Sequence, residues 1–170
     1  PGYDWSRLAR RAWAASRCVD YLLTLDLVDP RRIALAGHSR NGKQSLIAAA
    51  SDERIAVVIS SSSGQGGAAT ARLQAEPQGE ESLERITRAF PDWFHPRLRF
   101  FAGVEHKMPF DFHQLIALCA PRACLLSTAL YDPYEVAWTV QQTYLAVKPV
   151  YALLGVEDRL RPLWRDGAHA

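Results

Sequence analysis

Apolar positions along this chain recur in two different periods, and the switches between them mark its elements. Across residues 5–25 the apolar side chains Leu8, Ala12, Ala15, Val19, Leu22 and Leu23 return every three or four positions, which predicts a helix that buries one face. Asp29-Pro30 breaks that pattern. Ile33 to Ala36 is then a short apolar run ending at Gly37, and residues 42–50 are rich in strong helix formers, so this stretch reads as strand, sharp turn, helix. Residues 55–59 are apolar throughout, as for a strand covered on both faces in a parallel sheet, and run into four serines. Residues 64–82 shift to Gly, Ala, Gln and Glu with Leu73 as their one large aliphatic, which predicts a long loop on the active side. Further on, residues 110–119 predict a helix stopped by Pro121, residues 123–127 a buried strand running into Tyr131-Asp132-Pro133, residues 136–145 a helix and residues 150–154 the next strand. Strands alternating with helices predict a parallel α/β sheet, whose ligands collect outside the carboxyl ends of the strands.

Composition narrows the partners more than the fold. A chain of 170 residues with 48% hydrophobic and 22% charged content is long enough for one core, so residues 1–170 are read as a single domain. A net charge of +2 with the two signs interspersed predicts neither nucleic acid nor an anionic membrane as partner, and a monomer is expected. No apolar run approaches the roughly 20 residues that cross a bilayer. Cys18, Cys119 and Cys124 sit in apolar patterns without metal-ligand spacing, which predicts buried free thiols, leaves one disulfide open, and calls for no metal and no cofactor. Pro1 leads into the first helix with no start methionine or signal-like segment, and three strand-helix steps make a small sheet, so a partial domain is expected.

The chemistry concentrates around Gly37-His38-Ser39-Arg40-Asn41-Gly42-Lys43, between a buried strand and a helix, where a nucleophile elbow belongs. The general pattern places glycine two residues to either side of the serine; here the second position is Asn41, a residue tolerant of left-handed geometry, and Gly42 follows. A serine hydroxyl needs a base, and His169 is the favoured one of five histidines, since it follows the nucleophile in chain order within the glycine-containing loop 165–170. The carboxylate that would orient it is read as Asp132, just past a buried strand, with Glu135 as the competitor. The Arg40 N–H is the expected oxyanion donor, its guanidinium adds charge there, and Lys43, one turn beyond Ser39, is placed to reach substrate hydroxyls.

These residues resemble the glucuronoyl esterases, carbohydrate esterase family 15, whose elbow reads Ser-Arg-Asn-Gly-Lys. The resemblance extends through Asp52-Glu53-Arg54, Ser63-Gly64-Gln65-Gly66-Gly67-Ala68, Glu84-Arg85-Ile86, Phe90-Pro91-Asp92-Trp93-Phe94, Pro109-Phe110-Asp111, Ala120-Pro121-Arg122 and Gly167-Ala168-His169. It implies a three-layer αβα sandwich of the α/β-hydrolase type with a mostly parallel sheet, here without the family's N-terminal strands and final helix. It implies metal-free cleavage of esters that join 4-O-methyl-glucuronoyl groups of xylan to lignin alcohols, and export to a secreted or periplasmic address. By the same resemblance Ser39 is nucleophile, His169 base, Arg40 oxyanion stabiliser and Lys43 a binder of uronate hydroxyls, with Gln65 and Glu84 lining the sugar site. The glutamate many members carry before the Ser-Gly pair is Ser62 here, which favours Asp132 as the acid, and a sugar-stacking tryptophan is replaced by Tyr134. Two alternatives stay open: an acetyl-xylan or other small-acyl esterase on the same triad, and a non-catalytic carbohydrate-binding fragment or pseudoenzyme.

Overall fold

The computed structural model describes residues 5–73 and 81–169. Four strands, β1 (Ala34–His38), β2 (Val57–Ser61), β3 (Ala123–Ala129) and β4 (Leu160–Arg165), form one sheet in the order β1-β2-β3-β4, every pair parallel. Parallel neighbours require crossovers, and helices supply them. These are α2 (Arg40–Ser51) between β1 and β2, α3 (Leu83–Ala89) and α4 (His113–Ala117) between β2 and β3, and α5 (Ala137–Leu153) between β3 and β4; α1 (Arg7–Leu22) precedes the sheet and packs on α2. The α/β architecture expected from the alternation is thus present. The registers Gly37↔Ser60 and Ser60↔Leu126 keep the strands in step, so their carboxyl ends open along one edge of the sheet.

Two clusters hold these elements together. The larger one joins Leu46, Ala48 and Ala49 of α2, Val58 and Leu126 of the central strands, Ile116 of α4, and Val140, Val147 and Tyr151 of α5. Burial of such side chains stabilises by roughly 1.5–3 kcal/mol each. The smaller cluster, Leu8, Leu83, Ile86, Trp93, Phe94, Leu98, Met108 and Phe112, fixes α3 and the turn after it against the start of α1. Ser82 marks the start of α3, its hydroxyl accepting from the Arg85 N–H at 3.1 Å.

Several expectations are corrected. Residues 150–154 are not a strand: they lie at the end of α5, which runs through Pro149 with Tyr151 fully buried. The last strand is Leu160–Arg165, a less apolar sequence that the pattern did not mark; among the described residues it pairs with β3 alone, and a strand bonded on one side accommodates Pro162. The helix expected over residues 110–119 is regular only over His113–Ala117, because the Asp111 carboxylate takes the Phe112 N–H at 2.7 Å and holds the preceding chain in a different path. Cys18 is exposed, whereas Cys119 and Cys124 are buried, and all three are free thiols. Of the loop expected over 64–82, residues 64–71 are buried, and 74–80 lie outside the described residues.

Candidate active site

The first turn of α2 is joined to β1 by a single residue in a rarely populated conformation. Ser39 has φ 55° and ψ −127°, a positive φ that costs a side-chain-bearing residue of order 1–3 kcal/mol. Its N–H donates to the Ser61 carbonyl at 2.8 Å, and its own carbonyl accepts from Gly42 at 2.9 Å and Lys43 at 3.2 Å. The turn is tight enough that a Cβ on Gly37 would stand 2.1 Å from the Asn41 carbonyl oxygen, so glycine is required two residues before the serine. On the other side the close approach falls at Gly42, whose added Cβ would meet the Ser63 Cβ at 2.9 Å, while Asn41 is exposed. That explains why the elbow departs from the general glycine spacing.

Ser39 Oγ lies 2.9 Å from His169 Nε2, and His169 Nδ1 lies 2.8 Å from Asp132 Oδ2. The three side chains come from the ends of β1, β4 and β3, which the parallel sheet brings to one edge. A carboxylate accepts only, so Nδ1 carries the ring proton toward Asp132 and Nε2 is left to accept from the serine hydroxyl. The Asp132 side chain is buried and that of His169 partly exposed. Asp132 Oδ1 is occupied in turn by the Tyr134 N–H at 2.9 Å and the Glu135 N–H at 3.2 Å, which fixes the carboxylate plane. Glu135, its competitor from the sequence, is engaged with Gly64 instead. Its Oε1 accepts from the Gly64 N–H at 2.6 Å, and burial pushes its pKa up to about 7, against the opposing pull of that hydrogen bond.

A cavity of about 340 Å³ opens beside Ser39 and His169. Its inner end holds Lys43, whose Nζ donates to the Ser63 carbonyl and pairs with Glu81 at 3.1 Å; burial lowers the lysine's pKa, and Glu81 works against that shift. Arg85, Phe90, Trp93 and Tyr134 also line the cavity, with the Tyr134 ring edge-on to His169 at 5.0 Å and the Arg85 guanidinium 5.8 Å from the Tyr134 ring centre. A larger concavity, about 610 Å³, lies beside α1 between Trp5, Trp13 and Asp52, but it contains none of these reactive groups. Chemistry rather than size selects the smaller cavity.

The structure therefore brings Ser39, His169, Asp132, Lys43 and Tyr134 together, with Arg40 opening α2 beside them. Arg40 is the first residue of that helix, so its N–H is among the donors a helix leaves without an intrahelical acceptor. Gln65 is completely buried behind the cavity, and Glu84 is exposed on the outer face of α3 beside Arg88, so neither lines it. Glu81 occupies the place expected of Glu84. Ser62 lines the cavity, and the Arg165 guanidinium reaches its hydroxyl at 3.0 Å and that of Ser127 at 3.0 Å. Sequence reasoning missed Glu81, Arg165 and Trp93 as parts of the site; the last belongs to a motif, Phe90 to Phe94, to which it assigned no role. Among the described residues no group of three or more His, Cys, Asp or Glu side chains converges on a metal-sized point, and no helix is long and apolar enough to cross a membrane.

The chain resembles known proteins over most of its length. A family profile described as glucuronyl esterase, fungi, matches residues 2–155. Carbohydrate esterase MZ0003, from an unknown prokaryotic organism, is 42% identical over 131 residues, which cover 77% of this chain and 29% of that protein. The 4-O-methyl-glucuronoyl methylesterase 1 of Phanerochaete chrysosporium is 32% identical over 166 residues, 92% of this chain and 34% of the relative. Among solved structures, a glucuronoyl esterase of carbohydrate esterase family 15 from Caldicellulosiruptor kristjansonii superposes with a TM-score of 0.91 at 35% identity, over 98% of this chain and 46% of its own. The glucuronoyl esterase from Solibacter usitatus gives 0.87 at 35%, over 97% and 45%. The chain thus spans about a third of the length of these curated relatives and under half that of the solved ones.

Proposed function

The chain belongs to the glucuronoyl esterase family, and from that premise we propose that it forms the catalytic centre of a serine carboxylic-ester hydrolase acting on 4-O-methyl-glucuronoyl esters that link xylan to lignin alcohols. The observation that carries the reading is the relay from Asp132 through His169 to Ser39, with both hydrogen bonds at 2.8–2.9 Å.

In this reading Ser39 Oγ attacks the ester carbonyl while His169 Nε2 takes its proton. The oxyanion collects the Arg40 N–H and guanidinium. His169 then returns the proton to the departing alcohol, leaving the uronoyl group on Ser39. Water, deprotonated by the same nitrogen, releases the acid and restores the serine. Asp132 holds the imidazole in the required tautomer and stabilises the imidazolium. Lys43 and Glu81, a buried donor and acceptor pair lining the cavity, can exchange hydrogen bonds with the vicinal hydroxyls of a sugar, which a small acyl chain does not carry. That favours the uronate ester over an acetyl ester, and the relay disfavours a merely binding fragment. Tyr134 contributes a sugar-facing ring where the family's tryptophan would stand. No metal or cofactor enters this mechanism. The enzyme acts as a monomer outside the cytoplasm, where its polymeric substrate lies.

The test compares hydrolysis of a benzyl or methyl ester of glucuronic acid with that of acetylated xylo-oligosaccharide, using Ser39→Ala as control. The expected result is preference for the uronate ester and a loss of at least about 10³-fold in kcat for Ser39→Ala. Preference for acetyl groups retains the triad and moves the substrate, whereas turnover surviving in Ser39→Ala removes the nucleophile assignment.

A further inference from the structure

Arg40 presents a problem of charge. The residue is half-buried, its Nε is buried without a hydrogen-bond partner, and among the described residues no carboxylate pairs with it. What faces it is the indole of Trp93, with the guanidinium carbon 5.4 Å from the ring centre, inside the range in which a cation is attracted to an aromatic face. Phe90 stacks on the same indole at 3.9 Å and 10°. The turn that carries the two rings is fixed from outside. The Arg7 and Leu8 N–H groups, which the start of α1 leaves without intrahelical acceptors, donate to the Asp92 carbonyl at 2.7 Å and the Trp93 carbonyl at 3.2 Å, and Arg7 also pairs with the Asp92 carboxylate. Lys43, whose Nζ is 6.0 Å from the ring centre, is held independently by Ser63 and Glu81. Loss of the ring would therefore fall on Arg40.

We infer that Trp93 is a positioning residue for the oxyanion site: its face, backed by Phe90, holds the Arg40 guanidinium in place without neutralising it. A carboxylate in that position would orient the arginine equally well but cancel much of its field at the developing oxyanion. An indole attracts through its quadrupole and carries no net charge, so the cation keeps its full charge for the transition state. The inference rests on the esterase reading and on Arg40 as oxyanion stabiliser within it. It predicts a contribution made to the transition state more than to the bound substrate, hence to kcat more than to KM.

The experiment measures kcat and KM on a benzyl ester of glucuronic acid for Trp93→Tyr, Trp93→Phe and Trp93→Leu in the full chain. Each is made both with Arg40 present and in an Arg40→Ala background, with folding checked by circular dichroism. Expected is a graded fall of kcat from Trp through Tyr and Phe to Leu, reaching roughly tenfold, with KM little changed, and no further fall once Arg40 is absent. The aromatic variants preserve the comparison if the leucine variant does not fold. An equal fall in both backgrounds, or a change confined to KM, overturns the inference and leaves Trp93 a packing or binding residue. Phosphonate labelling of Ser39 in the unaltered protein separates the two levels: labelling without an Arg40→Ala effect on kcat removes this inference alone, and absence of labelling removes the esterase reading beneath it.

Discussion

At the scale of single residues, the reactive groups were legible because their chemistry demands particular neighbours. Ser39 could be read from Gly37 and the strand-helix context, and the structure gives the reason: a Cβ on Gly37 has no room against the Asn41 carbonyl. Asp132 over Glu135 was harder to separate by sequence, since both follow the same strand within three residues. Both are buried, and their hydrogen-bond partners distinguish them. Asp132 spends one oxygen on His169 and the other on two backbone N–H groups, whereas Glu135 accepts from the Gly64 N–H and makes no bond to His169. Its folded pKa of about 7 exceeds the ordinary value of 4.5, so the folded state binds the proton more tightly than the unfolded chain does. The resulting stabilisation is fully present below pH 4.5 and is lost as pH rises through about 7. Glu135→Gln does not titrate. The stability of the natural protein relative to that variant is therefore expected to fall by roughly 2–3 kcal/mol between pH 4.5 and 8, read from denaturant midpoints along the series. A difference that stays constant with pH would show that this carboxyl titrates at its ordinary value.

At the scale of elements, legibility followed burial. The strands β2 and β3 are interior and apolar, so their patterns stood out, while β4 carries a proline and two arginines and, among the described residues, is defined by its pairing with β3 alone. The apolar run at residues 150–154 misled because periodicity over five residues cannot separate a strand from the last turn of a helix; Val147 and Tyr151, four apart and both buried, show the helical face. The stretch from Gly64 was read as a long loop on the active side, and its first part, residues 64–71, is packed inside. Asp111 explains how: its carboxylate accepts from the N–H groups of Ala71 at 2.7 Å, Arg72 at 3.1 Å and Phe112 at 2.7 Å, tying that loop to the segment before α4. Replacing Asp111 by alanine leaves buried backbone donors unmatched and is expected to destabilise the protein by roughly 2–4 kcal/mol in chemical denaturation. Because the same loop begins at Gly64 beside Lys43 and Glu81, KM for the uronate ester should rise as well. Unchanged stability would show that water or a shifted backbone satisfies those donors without cost.

At the scale of the whole molecule, the site exists only where the crossovers of one sheet deliver Ser39, Asp132 and His169 to a common edge, and among the described residues the last of these is held by few ties. His169 lies four residues beyond the end of β4, and β4 is bonded on one side only within the described residues. What keeps it in reach is a short set of ties: the Leu130 N–H to the Arg165 carbonyl at 2.9 Å, the Tyr131 N–H to the Gly167 carbonyl at 3.0 Å, and the Arg165 guanidinium across to Ser127 and Ser62. Such a segment can open at lower free energy than the central strands, because few buried contacts are lost when it does. Activity is therefore expected to disappear at a lower denaturant concentration than far-UV circular dichroism, which reports the sheet and helices together. Arg165→Ala removes the two side-chain ties, worth about 1–3 kcal/mol together, and should widen the gap by moving the activity midpoint down while the spectroscopic midpoint moves less. If both midpoints shift by the same amount, the end of β4 unfolds with the sheet as one unit, and Arg165 stabilises the whole domain instead of the histidine loop.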